Sequence, residues 1–336
     1  MEKRSIIARK EFKFKSFFFQ WEWMLIVIFI IINIINSFLS PYYLNSNSLI
    51  DATMTFLDKA FIVLPMTFVI ILGDIDISVA STVALSSVVM AVLYNLGLSM
   101  PIAMLICLLV GTICGFINGF LIVKFKELSA VIVTLSTMII YRGIAYIILE
   151  DQASGKFPGW YSYLGWGYVG KIPFILIVFA IFTVIFGILL HKTTFGRRVY
   201  AMGNNITASR FSGVQVDKIK VVVFTLAGLM SGVAALFLTS RMGSTRPNVA
   251  QGYELDVITM VVLGGVSTAG GKGRITGTVI SVFLIGMLRY GLGLINVPAQ
   301  VLLIIIGLLL IIAVMIPNLK LSRSRLGKSR KAESAI

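Results

Sequence analysis

Residues 101–123 read PIAMLICLLVGTICGFINGFLIV, a run without a charged side chain. A bilayer core about 30 Å thick needs about 20 mostly apolar residues in a helix rising about 1.5 Å per residue, and this run meets that length unaided. Gly111, Gly115 and Gly119 stand four apart on one face of it, so a neighbouring backbone can approach closely. Outward from this run the same test finds apolar segments at 21–39, 56–73 and 75–97, then at 130–149, 172–190 and 221–240. The last third is less regular: 257–266 is too short to span by itself, 275–295 is rich in glycine, and 297–316 is long enough. Ala227, Ser231 and Ala235 repeat the small-residue spacing in the seventh segment, and both small-residue stripes read as ordinary bundle contacts.

Composition agrees with this reading. Of 336 residues 58% are hydrophobic and 13% charged, with a mean hydropathy of +0.96. Soluble domains are about half apolar and a quarter charged, and a soluble fold of this size would have to expose the excess. The expected fold class is all-α, a polytopic membrane helix bundle of about ten transmembrane segments with one or two discontinuous helices. Cys107 and Cys114 both lie inside the 101–123 run, which excludes a disulfide framework and reads as packing. His191 is the only histidine. No catalytic constellation, metal-ligand spacing or cofactor motif is expected. The first apolar run is too long for a signal h-region and lacks a small-residue cleavage site.

A net charge of +15 and a pI near 9.9 would suggest nucleic acid in a soluble chain, but in a membrane chain they report topology. If ten segments cross, one side receives six Lys/Arg up to Lys15, two in 124–129, six in 192–220, Lys272 and Arg274, and six in 320–331, or 22 of 29. The other side receives Lys156, Lys171, Arg241 and Arg246, while Lys59, Arg142 and Arg289 fall within spans or at their ends. Both termini are therefore expected in the cytoplasm, with no nucleic-acid partner. The expected organisation is a basic N-terminal segment 1–20, a membrane domain 21–316 with a cytoplasmic loop 191–220, and a basic tail 317–336.

Ionisable groups inside spans are costly and are functional candidates by default. Gly73-Asp74-Ile75-Asp76-Ile77-Ser78-Val79-Ala80 sits between two apolar runs. Two readings stay open: Asp74 and Asp76 flank a polar path for a hydroxyl-bearing solute, or they form a short cytoplasmic turn in which Asp76 or Ser78 caps the next helix. Arg142 and Arg289 sit near span ends, where snorkelling is open to them, and a structural role is expected for both. Asn118 is expected to bond across helices, and His191 to be solvated or interfacial. In the loop, Asn205 reads as an N-cap and Gly213 as the residue past the C-terminus of a short helix. So short a helix persists only when docked, either on a partner protein or on lipid headgroups. Gly264-Gly265…Gly270-Gly271-Lys272-Gly273 departs from a phosphate-binding loop in spacing and lacks its hydroxyl residue. A short apolar segment followed by a glycine-rich break instead suits a discontinuous transporter helix. Trp160, Tyr161, Tyr163, Trp166 and Tyr168 make an aromatic external segment, either an interfacial belt or a docking face.

Together these motifs resemble the permease subunits of ribose-type monosaccharide ATP-binding-cassette importers, a group that includes rhamnose and autoinducer-2 permeases. Gly73 to Ala80 resembles the group's G-G-I-D-[LI]-S-V-G signature, and Val131 to Thr137 its F-I-V-T-L-G-T segment. Gly196 to Val214 resembles G-R-x-x-x-A-I-G-x-N-x-x-A-A-x-x-S-G-[IV], and Gly252 to Thr278 resembles G-Y-E-L-D…GG…GG-x-G…GT. Asp74 and Ala80 replace signature glycines, and Ser209 replaces an alanine; Asp74 is similar to the rhamnose and autoinducer-2 members. The resemblance implies an ATPase-coupling set of Gly196, Arg197, Asn205, Thr207, Ala208, Ser209 and Gly213. It implies a translocation path with Asp74, Asp76, Ser78, Asn118, Thr134, Glu254 and Asp256, and a helix break at Gly264, Gly265, Gly270, Gly271 and Gly273. The implied partners are a separate ATPase subunit, an extracytoplasmic sugar-binding protein, a second permease subunit (identical or paralogous) and membrane lipid. The competing reading is an ion-coupled secondary transporter with Asp74 and Asp76 as coupling carboxylates.

Overall fold

The computed structural model describes residues 21–298, 300–309, 311 and 315; the expected segments 1–20 and 317–336 lie outside the described residues. The chain is helical almost throughout. In order come α1 (Trp21–Leu39), α2 (Ser46–Ile71), α3 (Val79–Asn95), α4 (Met100–Lys124) and α5 (Ala130–Leu149). A connection follows that holds β1 (Ser154–Gly155), a 3-10 turn (Gly159–Ser162), α6 (Tyr163–Trp166), β2 (Tyr168–Val169) and β3 (Ile172–Pro173). Then come α7 (Phe174–His191), α8 (Thr194–Asn204), α9 (Ile206–Phe211), α10 (Val216–Met242), β4 (Ser244–Thr245), α11 (Tyr253–Leu263), α12 (Ile275–Leu294) and α13 (Gln300–Leu309). Among the described residues seven helices are long and apolar enough to cross a membrane: α1, α2, α4, α5, α7, α10 and α12. The chain is thus an all-α polytopic membrane protein.

Two ends can be told apart. Lys126 faces Asp217, Lys220 faces Asp74, and Tyr200 reaches Gly273, which gathers loops 72–78, 125–129, 192–215 and 264–274 at a basic end. At the opposite, aromatic end β1 pairs with β4 and β2 with β3, both antiparallel, and Trp166 Nε1–H donates to the Arg241 carbonyl.

The core forms around α2, which is apolar on every side and buried along nearly its whole length, as such a helix must be. Phe61 is stacked on Phe237 of α10 and meets Phe179 and Phe182 of α7 edge-on. The glycine stripe of α4 packs on α10. A Cβ on Gly111 would lie 2.5 Å from the Gly228 carbonyl oxygen and 3.0 Å from the Gly232 nitrogen. The α10 positions that receive it are Gly228 and Gly232, next to the Ala227–Ser231–Ala235 face picked out by spacing.

Some boundaries differ from the sequence reading. α10 starts at Val216, so Asp217, Lys218 and Lys220 ride on its first turns rather than in a loop. Residues 194–204, read as loop, form the amphipathic helix α8, because the Thr193 hydroxyl accepts from the Gly196 N–H and Val199 and Met202 bury an inner face. The eighth segment is the 11-residue α11, shorter than any span. It begins beside the middle of α2, where Tyr253 OH donates to Asp58, and ends at the basic end, where its Leu263 carbonyl accepts from Trp21 Nε1–H.

Candidate functional site

Two polar clusters interrupt the apolar bundle. The first lies at the basic end and is built mainly from backbone. α8 and α9 meet at Asn205, which ends one helix and caps the next: its Oδ1 accepts from the Ala208 N–H at 2.9 Å. Gly213, at φ +80°, follows α9 in the left-handed conformation that favours glycine. Behind this pair the chain is bolted to two other elements. The Gly271 N–H donates to the Ile71 carbonyl at the end of α2 (2.8 Å), and Tyr200 OH donates to the Gly273 carbonyl (2.6 Å). Gly203 lies so close to the Ile71 carbonyl that no Cβ fits there. Burial raises the Tyr200 phenol above its ordinary value, so it stays a neutral donor. His191 Nε2 accepts from the Ile275 N–H (3.4 Å) at the start of α12, a capping contact that the sequence reading did not foresee. α9 ends on Phe211, 89% exposed, and begins with Ile206, 39% exposed. Next to it opens a cavity of about 370 Å³, lined among others by Gly73, Asp74, Lys126, Arg210, Asp217 and Lys220.

From this junction the loop 72–78 leads inward. Asp74 pairs with Lys220 Nζ at 2.6 Å. Asp76 turns back on its own chain, Oδ1 accepting from both the N–H and the hydroxyl of Ser78. The Ser78 hydroxyl accepts from Asn118 Nδ2–H (2.7 Å), and Asn118 Oδ1 accepts from Tyr141 OH (3.1 Å). Thr134 donates to the Ala130 carbonyl (2.8 Å) and lies 3.3 Å from the Ile75 carbonyl. Asp76, Ser78, Asn118 and Thr134 are all buried. Ser78 stands at the head of α3 without capping it through its side chain.

The second cluster sits at the N-terminal end of α11. Asp256 accepts from Lys59 Nζ at 2.6 Å and from Arg289 Nη2 at 2.5 Å. Asp58 accepts from Arg241 at 2.7 Å and from Tyr253 OH at 3.1 Å. Arg142 reaches the loop before α11 and donates to the carbonyls of Pro247 (2.6 Å) and Val249 (2.8 Å). Glu254 keeps one carboxylate oxygen, Oε2, buried without a hydrogen-bond partner. Arg142 and Arg289 therefore point into the protein instead of snorkelling. A helix that starts halfway leaves backbone and carboxylate groups at depth, and these need donors. Asp58 was not singled out in the sequence, and Lys59 only as a basic residue within a span. The available signal was two adjacent charges inside an otherwise apolar helix.

The predicted residues thus fall into separate groups. Gly196, Arg197, Asn205, Thr207, Ala208, Ser209 and Gly213 lie on or beside α8–α9, and Gly270, Gly271 and Gly273 face them across the junction. Asp76, Ser78 and Asn118 form one buried chain with Tyr141, and Thr134 lies beside it at the Ile75 carbonyl; no hydrogen bond joins them to Glu254 or Asp256. Gly264 and Gly265 close α11, with Gly264 against Gly277 and Thr278 of α12.

A multi-span helical bundle with a half-length helix and a bolted pair of short helices at one end has the build of a membrane transport component. Residues 48–314 match the family described as branched-chain amino acid transport system, permease component. The chain belongs to this family and, within it, to the permease subunits of ribose-type sugar ATP-binding-cassette importers. It is 40% identical to the ribose import permease protein RbsC of Bacillus subtilis (strain 168) over 295 residues, which is 87% of this chain and 91% of that one. It is 41% identical to the L-arabinose transport system permease protein AraH of Escherichia coli (strain K12) over 260 residues, 77% and 79% of the two chains. To the autoinducer 2 import system permease protein LsrD of Escherichia coli O9:H4 (strain HS) it is 34% identical over 325 residues, 94% and 98%. No solved structure matches it.

Proposed function

We propose that this chain is one of two permease subunits of an importer that moves a monosaccharide or similar small polyol into the cytoplasm, driven by a separate ATPase and supplied by an extracytoplasmic binding protein. The observation that carries the reading is the α8–α9 pair. Tyr200 and Asn204 of α8 bond to Gly273 and Gly271, and Gly203 packs on Ile71, while α9 leaves Phe211 exposed at the basic end. So short a helix persists only when docked, and in this reading the ATPase covers Phe211 at the basic end. The basic end is then cytoplasmic, as are both termini. Ten segments cross, with α3, α11 and α13 as the short ones and the loop before α11 completing its crossing. The path runs between α3, α5 and α11, with Asp76, Ser78, Asn118 and Thr134 on one side and Glu254 and Asp256 on the other. The unpartnered Glu254 Oε2 is suited to a solute hydroxyl. The relatives' named substrates, ribose, L-arabinose and autoinducer 2, set the solute class.

Reconstitution tests this. Proteoliposomes with the permease, its ATPase and its binding protein should take up radiolabelled sugar only with ATP, competed by ribose, arabinose or autoinducer 2. The double variant Ala208→Asp with Gly213→Pro should no longer retain the ATPase on purification. Uptake by the permease alone that is lost when an ion gradient is collapsed would overturn the proposal.

A further inference from the structure

The signature-like stretch carries Asp74 where the family pattern has glycine, which places a fixed negative charge at the entry to loop 72–78. In the fold that charge meets Lys220 Nζ at 2.6 Å, with both side chains only 15% exposed. Lys220 lies on the second turn of α10, three residues after Asp217 and so on the same face. Asp217 in turn takes Arg210 of α9 at 2.9 Å and Lys126 at 3.7 Å. The first turns of α10 thus hold the α9 side through Asp217 and the loop side through Lys220. Beyond Asp74 the loop runs into the Asp76–Ser78–Asn118–Tyr141 chain that joins α3 to α4 and α5. The two ion pairs are not equal. Arg210–Asp217 is about half exposed, where water and salt weaken a pair. Asp74–Lys220 is largely shielded, and it is a contact of charge alone, because Asp74 Oδ2 accepts no well-aligned hydrogen bond.

We propose that Asp74 and Lys220 form a strut that ties the loop ahead of α3 to the first turns of α10, so that displacement of α8–α9 by the ATPase moves α3. The two are positioning residues, acting on the path through Asp76, Ser78 and Asn118. The proposal rests on the reading of α8–α9 as the ATPase-coupling segment.

The test reads sugar uptake per ATP hydrolysed, a ratio that a merely structural role would not move, together with retention of the ATPase on the purified permease. Asp74→Asn and Lys220→Gln should each keep the ATPase bound while uptake per ATP falls about tenfold, the size of an ordinary coupling between sites. Combining them should cost no more than either alone, because the second change removes a partner already gone. The reversed pair, Asp74→Lys with Lys220→Asp, should recover at least half of what each single reversal loses. Parental uptake per ATP in both neutral variants, or fully additive losses in the combination, overturns the strut. The Ala208→Asp with Gly213→Pro variant separates the two readings. If it retains the ATPase, the coupling segment is misassigned. If it sheds the ATPase while Asp74→Asn transports at the parental ratio, the strut alone is wrong.

Discussion

Glycine spacing in α4 and charge placement in α2 decide the packing at the level of single residues. Gly111, Gly115 and Gly119 matter because backbone atoms of α10, carbonyl oxygens at the first two and the Val221 Cα at the third, occupy the places their side chains would take. Gly111→Ala should therefore lower stability by about 1–3 kcal/mol, the usual cost of overpacking. Gly143→Ala, in an exposed helical position with no atom within 4 Å of a new Cβ, should not lower it and should raise it by up to about 1 kcal/mol through helix propensity. Thermal unfolding in detergent, followed by loss of monodispersity, compares the two directly. The four-residue spacing made the α4 stripe legible in the sequence. Its partner face carried the same signal in Gly228 and Gly232, also four apart, but the sequence reading took the adjoining Ala227–Ser231–Ala235 face. Choosing between the two depends on the rotation of α10 that the neighbouring helices fix. The ion pairs were hidden for a related reason. Arg142 and Arg289 look like residues that reach for the membrane surface until one knows that α11 begins beside Asp58, in the middle of α2.

Among the elements α11 departs furthest from an ordinary span. It has 11 residues, starts at Tyr253 after a left-handed Gly252 at φ +88°, and stops at the glycine loop 264–274. Its N-terminal end is held by Asp256 between Lys59 and Arg289, and Asp256 is almost fully buried. Removing one member of a buried charge set leaves the others uncompensated, at a cost of about 3–5 kcal/mol. Asp256→Asn should thus destabilise the protein by about 3 kcal/mol in the same unfolding measurement. It should also raise proteolysis in loop 243–252, which α11 anchors. The short length and the glycine break of this element were readable from hydropathy and composition. The helical state of 194–204 was not, because α8 is half polar and gains its order from Thr193 and from a floor of backbone supplied by Ile71 and Leu190, both remote from hydropathy. The cap at Asn205 and the left-handed Gly213 were readable, since both are local chemistry.

Across the whole molecule, the proposed orientation is argued from where the basic residues lie. Twenty-two of 29 Lys and Arg were assigned to one side by the sequence. The fold thins the minority further, because Arg241 turns inward to Asp58 and leaves Lys156, Lys171 and Arg246 at the aromatic end. The basic end spends some of its charge internally, on Asp74 and Asp217, yet Lys192, Arg197 and Arg198 stay exposed. The proposed orientation rests on the count of loop Lys and Arg, 22 against four, which pairing inside the fold does not alter. The native thiols make it measurable, since Cys107 and Cys114 are both buried and should stay silent. In intact cells a membrane-impermeant maleimide should label a Lys171→Cys variant and leave a Lys192→Cys variant unlabelled until the membrane is opened. The reverse pattern would place α8–α9 outside the cell, where no ATPase could reach Phe211, and would remove the basis for coupling at that end.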